Sequence, residues 1–94
     1  HKAPGGLIRT ALVVDHRSRQ IQSALVSGDF FTSEPILLRQ MEAGLKGLTL
    51  NTGRIRWKIF QVLKGHENAF PGVEPEDFVT ATLNAIENTS GKDA

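Results

Sequence analysis

Cysteine is absent from the 94 residues. That excludes a disulfide framework and any thiolate metal site, and it suits a reducing compartment, with the cytoplasm as the default expectation. Long apolar runs are missing as well. None approaches the roughly 18 residues of a membrane span, and the first residues lack the apolar stretch of a signal peptide. The chain begins at His1 rather than Met, as would a processed chain, one with a tag remnant, or a fragment of something longer. Its length excludes two independent cores, because each half would be marginal alone, so residues 1–94 read as a single domain. The residues present are those of an ordinary globular chain: 39% are hydrophobic and 9 are glycine, which argues against wholesale disorder. Net charge is only +1, yet it is unevenly spread. Residues 1–65 hold ten basic and four acidic side chains, a balance of +6, while residues 66–94 hold one and six, a balance of −5. The two parts attract in a compact fold, and the basic part also suits an anionic partner.

His1 to Gly6 reads as a flexible arm, since Pro4 lacks a donor and Gly5-Gly6 raise the entropy of ordering. From Leu7 to Val14 aliphatic residues dominate, with Ile8, Leu12 and Val14 on one face of a strand and Arg9 on the other. Asp15-His16-Arg17-Ser18 has the polarity and length of a hairpin loop. A return strand over 19–28 then places Ile21, Ser23 and Leu25 on one face, with residues near 7 opposite residues near 26. Ser33-Glu34-Pro35 supplies a cap candidate and a first-turn proline for a helix over 34–47, whose stripe is Leu37, Leu38, Met41, Leu45 and Leu48. Gly47 is its left-handed terminator, and Gly44 inside it permits close approach of another element. Residues 54–64 begin with a strand-like alternation, but Ile55, Ile59, Val62 and Leu63 share one helical face, and Thr52 and Gly65 punctuate the segment, so it reads as a helix. Glu74, Glu76 and Asp77 stand at the positive end of a last helix over 75–88 with the stripe Phe78, Val79, Thr82, Leu83 and Ile86, followed by a frayed tail over 89–94. The whole is an α+β domain, a small antiparallel hairpin packed with about three helices.

Chemistry is sparse. The histidines at 1, 16 and 66 have no second ligand at metal-like spacing, which predicts no metal site. Acids at 67, 74, 76 and 77 have an electrostatic reason to stand beside a helix start without catalytic duty. Pro4-Gly5-Gly6 precedes a strand, whereas a phosphate cradle precedes a helix. Arg54-Ile55-Arg56-Trp57-Lys58 interleaves cations with an aromatic, as a nucleic-acid grip would, but a solvated helix face with Trp57 at the core edge has the same composition. Phe30 and Phe31 are adjacent after Asp29, so an extended chain buries one and leaves the other for a partner, unless the chain turns there and buries both. No nucleophile, base and oxyanion donors assemble, so no catalytic residue is expected.

Four segments taken in order resemble a known family: Lys2-Ala3-Pro4-Gly5-Gly6-Leu7-Ile8-Arg9, Val26-Ser27-Gly28-Asp29-Phe30-Phe31, Met41-Glu42-Ala43-Gly44-Leu45-Lys46-Gly47, and Phe70-Pro71-Gly72-Val73-Glu74-Pro75-Glu76-Asp77-Phe78. Together they are similar to the accessory C-terminal domain of lipoate-protein ligase A, which in some prokaryotes is a separate small subunit. The resemblance implies the SufE/NifU-like fold of sulfur-transfer and iron-sulfur scaffold proteins, and without cysteine the sulfur-carrier chemistry of that fold is closed to this chain. It also implies a noncatalytic role beside a large catalytic subunit. ATP, Mg and lipoate would occupy the large subunit's active site, and the lipoyl group would pass from lipoyl-AMP to a lysine of an acceptor protein. The residues it places near partner or ligand are Lys2, Pro4, Gly5, Gly6, Arg9, Gly28, Asp29, Phe30 and Phe31, with Gly5-Gly6 a hinge and Lys2 and Arg9 near phosphates. Many relatives carry lysine directly after the double glycine, where this chain has Leu7, and Lys2 is the nearest substitute. The alternative is a small nucleic-acid-binding module using 54–58.

Overall fold

The computed structural model describes residues 1–93, with side chains through residue 88. Three antiparallel strands, β1 (Lys2–Ala3), β2 (Gly6–Asp15) and β3 (Gln20–Phe30), lie side by side in that order. Three helices, α1 (Ile36–Leu45), α2 (Thr52–Leu63) and α3 (Pro75–Asp93), follow, with a 3₁₀ turn at Glu67–Ala69 before the last. Helix α1 packs on β3, α3 packs on β2, and α2 lies against both helices. The expected α+β domain is therefore present, with 54–64 helical as its Ile55/Ile59/Leu63 face required: all three are buried. The helix starts two residues earlier than expected because Asn51, rather than Thr52, is the cap, its Oδ1 accepting from Arg54 N at 3.0 Å.

The opening residues depart from the expected flexible arm. Pro4-Gly5 forms a tight turn that folds Lys2–Ala3 back onto Gly6-Leu7, where Lys2 pairs with Leu7. Proline's missing donor costs nothing at a turn, and Gly6 supplies the φ of +139° that the turn requires. Gly5 is also not a hinge. Its N–H donates to Gly72 O at 2.8 Å, and a Cβ there would meet Pro71 O at 2.1 Å.

The hairpin is longer than the expected 7–14/19–28, and its register differs: Leu7 faces Asp29, not a residue near 26. Beyond that, a bulge reverses one expectation. Val13 pairs with Ser23 but Val14 pairs with Ile21, leaving Gln22 as the extra residue. An unpaired residue switches which parity faces the core. Ile21 and Val26 are accordingly buried, while Leu25, expected inside with Ile21, is 57% exposed. β2 keeps the expected parity, with Ile8 buried and Arg9 outside.

As an edge strand β3 presents unpaired main chain, which the fold covers. The connection after α1 pairs with it, Ile21 N to Leu48 O at 2.9 Å and Gly47 N to Ile21 O at 2.7 Å, with Gly47 in the left-handed conformation expected of it. Farther along, the Glu42 carboxylate accepts from Val26 N–H at 2.9 Å. Helix α1 is shorter than 34–47: Pro35 rather than Ser33 stands at its N-cap, with no side-chain cap bond, and the Ser33 N–H donates to Ala69 O. Helix α3 continues past the expected 88 as helical backbone to Asp93, and the tail expected over 89–94 ends outside the described residues at Ala94. Asp77 reaches back to accept from Glu74 N–H at 2.8 Å, half of a capping box, and its other oxygen meets His1 Nε2 at 2.8 Å.

Candidate partner-docking surface

Three of the four resemblance segments converge at the hairpin end distal to its loop. Gly6 pairs with Phe30 and Ile8 with Gly28. Gly5 abuts Gly72, and Phe30 meets Phe70 and Phe78 edge to face at centroid separations of 5.8 and 5.9 Å. The close approaches explain the glycines. A Cβ on Gly28 would fall 2.0 Å from Leu7 O, and one on Gly6 would fall 1.8 Å from Asp29 O. Gly5, Gly6 and Gly28 are therefore packing requirements of the fold, and Phe30, partly buried, packs against the core.

The remaining expected site residues are on the surface. Cross-strand partners share a face, so Lys2, Leu7 and Asp29 form one row on the side of the sheet away from the helices, and Arg9 with Ser27 forms a second. Lys2 thus stands directly beside Leu7, the residue that follows the double glycine. Farther rows hold Ala11 with Leu25 and Val13 with Ser23, and Val13 and Leu25 are both more than half exposed. Phe31, just past the strand end, is 68% exposed. Of the two phenylalanines, Phe30 enters the core and Phe31 does not. Pro4 lies on the exposed turn at the same end. A shallow groove of about 430 Å³ between β3 and α1, lined by Leu25, Pro35, Leu38 and Arg39, carries the apolar surface around the strand edge.

Sequence reasoning did not single out Val13, although it shares the parity of Arg9 on β2, and missed Leu25, because only the bulge at Gln22 brings Leu25 to the outer face. The result is an uncovered sheet face with an apolar middle and a charged end. Chains that bury such a face do so against another protein.

Several acids are engaged in the fold. Glu76 pairs with Arg56, Glu34 with His66 at 3.0 Å, and Glu67 accepts from Gly65 N–H at 3.1 Å. Asp15 accepts from Arg17 N–H and from Ser18, and these hydrogen bonds hold its carboxyl below the usual range. Among the described residues no three His, Asp or Glu side chains stand close enough to hold a metal ion, and no helix is long and apolar enough to cross a membrane.

Along 83 residues, 85% of this chain and 80% of the relative, the sequence is 35% identical to lipoate-protein ligase A subunit 2 of Thermoplasma acidophilum. The chain belongs to that family of lipoate-protein ligase subunits. Its fold agrees with a chain from the solved structure of an archaeal lipoylation system of the same organism, a bi-partite lipoate protein ligase and its E2 lipoyl domain. The TM-score is 0.72 with 34% identity, covering 85% of each chain. No family model matches.

Proposed function

We propose that this chain is the noncatalytic small subunit of a two-part lipoate-protein ligase in the cytoplasm, required with a large catalytic subunit for ATP-dependent formation of lipoyl-AMP before transfer to an acceptor lysine. The observation that carries the reading is the relationship across 85% of the chain to one subunit of such an enzyme, at matching fold. Two features support it. The carboxylates and histidines that could act as acids or bases are largely engaged in caps, turns and ion pairs, and the outer sheet face is a broad uncovered surface suited to a protein partner.

In that assembly the outer face, with Phe31 at its corner, docks on the large subunit. Lys2 and Arg9, on adjacent rows of the same face, favour negative charge beside them. They suit the triphosphate of an ATP held by the large subunit, whereas Mg would take its ligands from that subunit, since these residues bring no carboxylate cluster. Binding raises the rate only where the small subunit prefers the adenylation-competent conformation of its partner. Each tenfold preference shifts that equilibrium by about 1.4 kcal/mol.

Purified separately, neither subunit releases pyrophosphate from ATP, lipoate and Mg at an appreciable rate, and mixing restores it. Pyrophosphate release by this chain alone sinks the noncatalytic reading, and full activity of the large subunit without it sinks the required role.

A further inference from the structure

We propose that the outer face of α2 is a second docking surface, for an acidic segment of a partner protein that carries an apolar anchor. The argument starts from how the cations of this helix are sorted. On its α3 side Arg56 pairs with Glu76. On its α1 side Arg54 and Lys58 line an open pocket of about 330 Å³ together with Lys46, Gly47 and Trp57, and no acidic residue lines it. Among the described residues none of Lys46, Arg54 and Lys58 has a carboxylate partner. Three like charges around one hollow repel one another, and an external anion relieves that repulsion.

The pocket is built rather than incidental. A Cβ on Gly44 would lie 2.9 Å from Lys58 Cδ, so the glycine lets the lysine stem lie across α1. The ammonium then stands 5.1 Å from the centre of the Trp57 ring. Trp57, 59% exposed, is the wall shared with a neighbouring hollow lined by Phe60, Gln61 and Lys64. Two exposed rings three residues apart lie on one helical face, with cations at either end.

A protein segment fits better than a nucleic acid. From Arg54 to Lys64 the strip is only about 15 Å long at 1.5 Å per helical residue, and Glu67 closes its far end. A polyanion tracking farther meets the acidic part of the chain, whereas a short acidic segment ends within the strip and seats its apolar side chain against Trp57 and Phe60.

Trp57 is the only tryptophan, so its emission reports the site directly in the intact protein. The probes are a short glutamate-rich peptide with a central Leu-Leu pair, the same peptide with Ser-Ser in its place, and oligo-dT of matched length. The Leu-Leu peptide shifts Trp57 emission to the blue with an affinity that falls as salt rises, and Arg54→Glu weakens it about tenfold or more. Phe60→Ala weakens it too, while Arg56→Gln leaves it within about twofold. Because a glutamate in the first turn of a helix is favourable, Arg54→Glu keeps the fold, as circular dichroism will show. Equal binding of the Ser-Ser peptide, tighter binding of oligo-dT, or no response of Trp57 overturns the proposal. The readout is binding, not adenylation, so this inference and the ligase reading can fail independently.

Discussion

Truncating the adjacent phenylalanines should give opposite results. Phe30 packs edge to face on Phe70 and Phe78, which themselves stand 5.0 Å apart, so Phe30→Ala opens a gap in a three-ring cluster. Phenylalanine-to-alanine changes in cores cost about 3–5 kcal/mol. Phe30 is partly buried, so about 3 kcal/mol is expected, and at roughly 4–8 °C per kcal/mol for a domain this small the melting temperature falls by about 12–24 °C. Phe31 is 68% exposed, and Phe31→Ala should change stability by less than about 0.5 kcal/mol. Against the large subunit the order reverses. An interface aromatic costs on the order of 2 kcal/mol when truncated, about a 30-fold weaker affinity, and the adenylation rate at subsaturating subunit falls with it. Thermal melts of the three proteins and calorimetric titrations with the large subunit read both quantities. Phe31→Ala binding like wild type, while folded, would place the interface away from this end of the sheet. A destabilisation equal to that of Phe30→Ala would mean that Phe31 belongs to the core.

The glycines divide in the same way. Gly28→Ala drives a Cβ into Leu7 O and should abolish cooperative unfolding, whereas Gly65→Ala has open space and only its φ of +82° to strain, a loss of about 1–2 kcal/mol in a denaturant titration. Gly6→Pro should unfold the hairpin because φ is +139° there. Thr10 Oγ1 is buried with no hydrogen-bond partner among the described residues, so Thr10→Val should raise stability by about 1 kcal/mol, and a loss would show that the hydroxyl is satisfied by bound water. The depressed pKa of Asp15 contributes stability above its unfolded value of 3.8 that is lost as pH falls through the lower folded value. Asp15→Asn should therefore flatten the acid limb of a stability profile below about pH 4, and an unchanged limb would refute the assignment.

Helical stripes were legible because their period is set by residues that all face one core: Leu37, Met41 and Leu45, then Ile55, Ile59 and Leu63, are buried as their spacing demands. What pattern reading could not supply was set by single residues in tertiary context. One unpaired Gln22 exchanged Leu25 for Val26 in the core, and nothing local in the polar and small residues around it marks a bulge. Pro4-Gly5-Gly6 looked like a hinge because its composition is that of a flexible segment. Only distant backbone makes those glycines a packing requirement: Pro71-Gly72 for Gly5, and Asp29-Phe30 for Gly6. The candidate surface follows from the same two facts. Bulge and turn decide which side chains face outward, so the exposure of Phe31 was legible in the sequence while the apolar middle was not.

Position 7 offers a test of how the charged end of that surface works. The resemblance implies a lysine after the double glycine, the position of Leu7 here, and β1 places Lys2 directly opposite. Side chains so paired have Cβ atoms about 4.5–5.5 Å apart, a distance that a lysine's four-carbon stem spans, so the ammonium of Lys2 reaches the region a lysine at 7 would occupy. Lys2 would thus supply the same charge from one strand sideways, on the same face. Lys2→Ala should then lower adenylation by the reconstituted enzyme about tenfold, equivalent to about 1.4 kcal/mol of transition-state stabilisation, with the affinity between subunits and the melting temperature little changed. Leu7→Lys in the Lys2→Ala background should restore most of the rate, because it returns an ammonium to the same place from the neighbouring strand. A structural role for Lys2 would not be rescued this way, since a lysine at 7 does not restore the side chain of β1. Loss without rescue would assign Lys2 to the subunit interface, and no loss at all would remove it from the reaction.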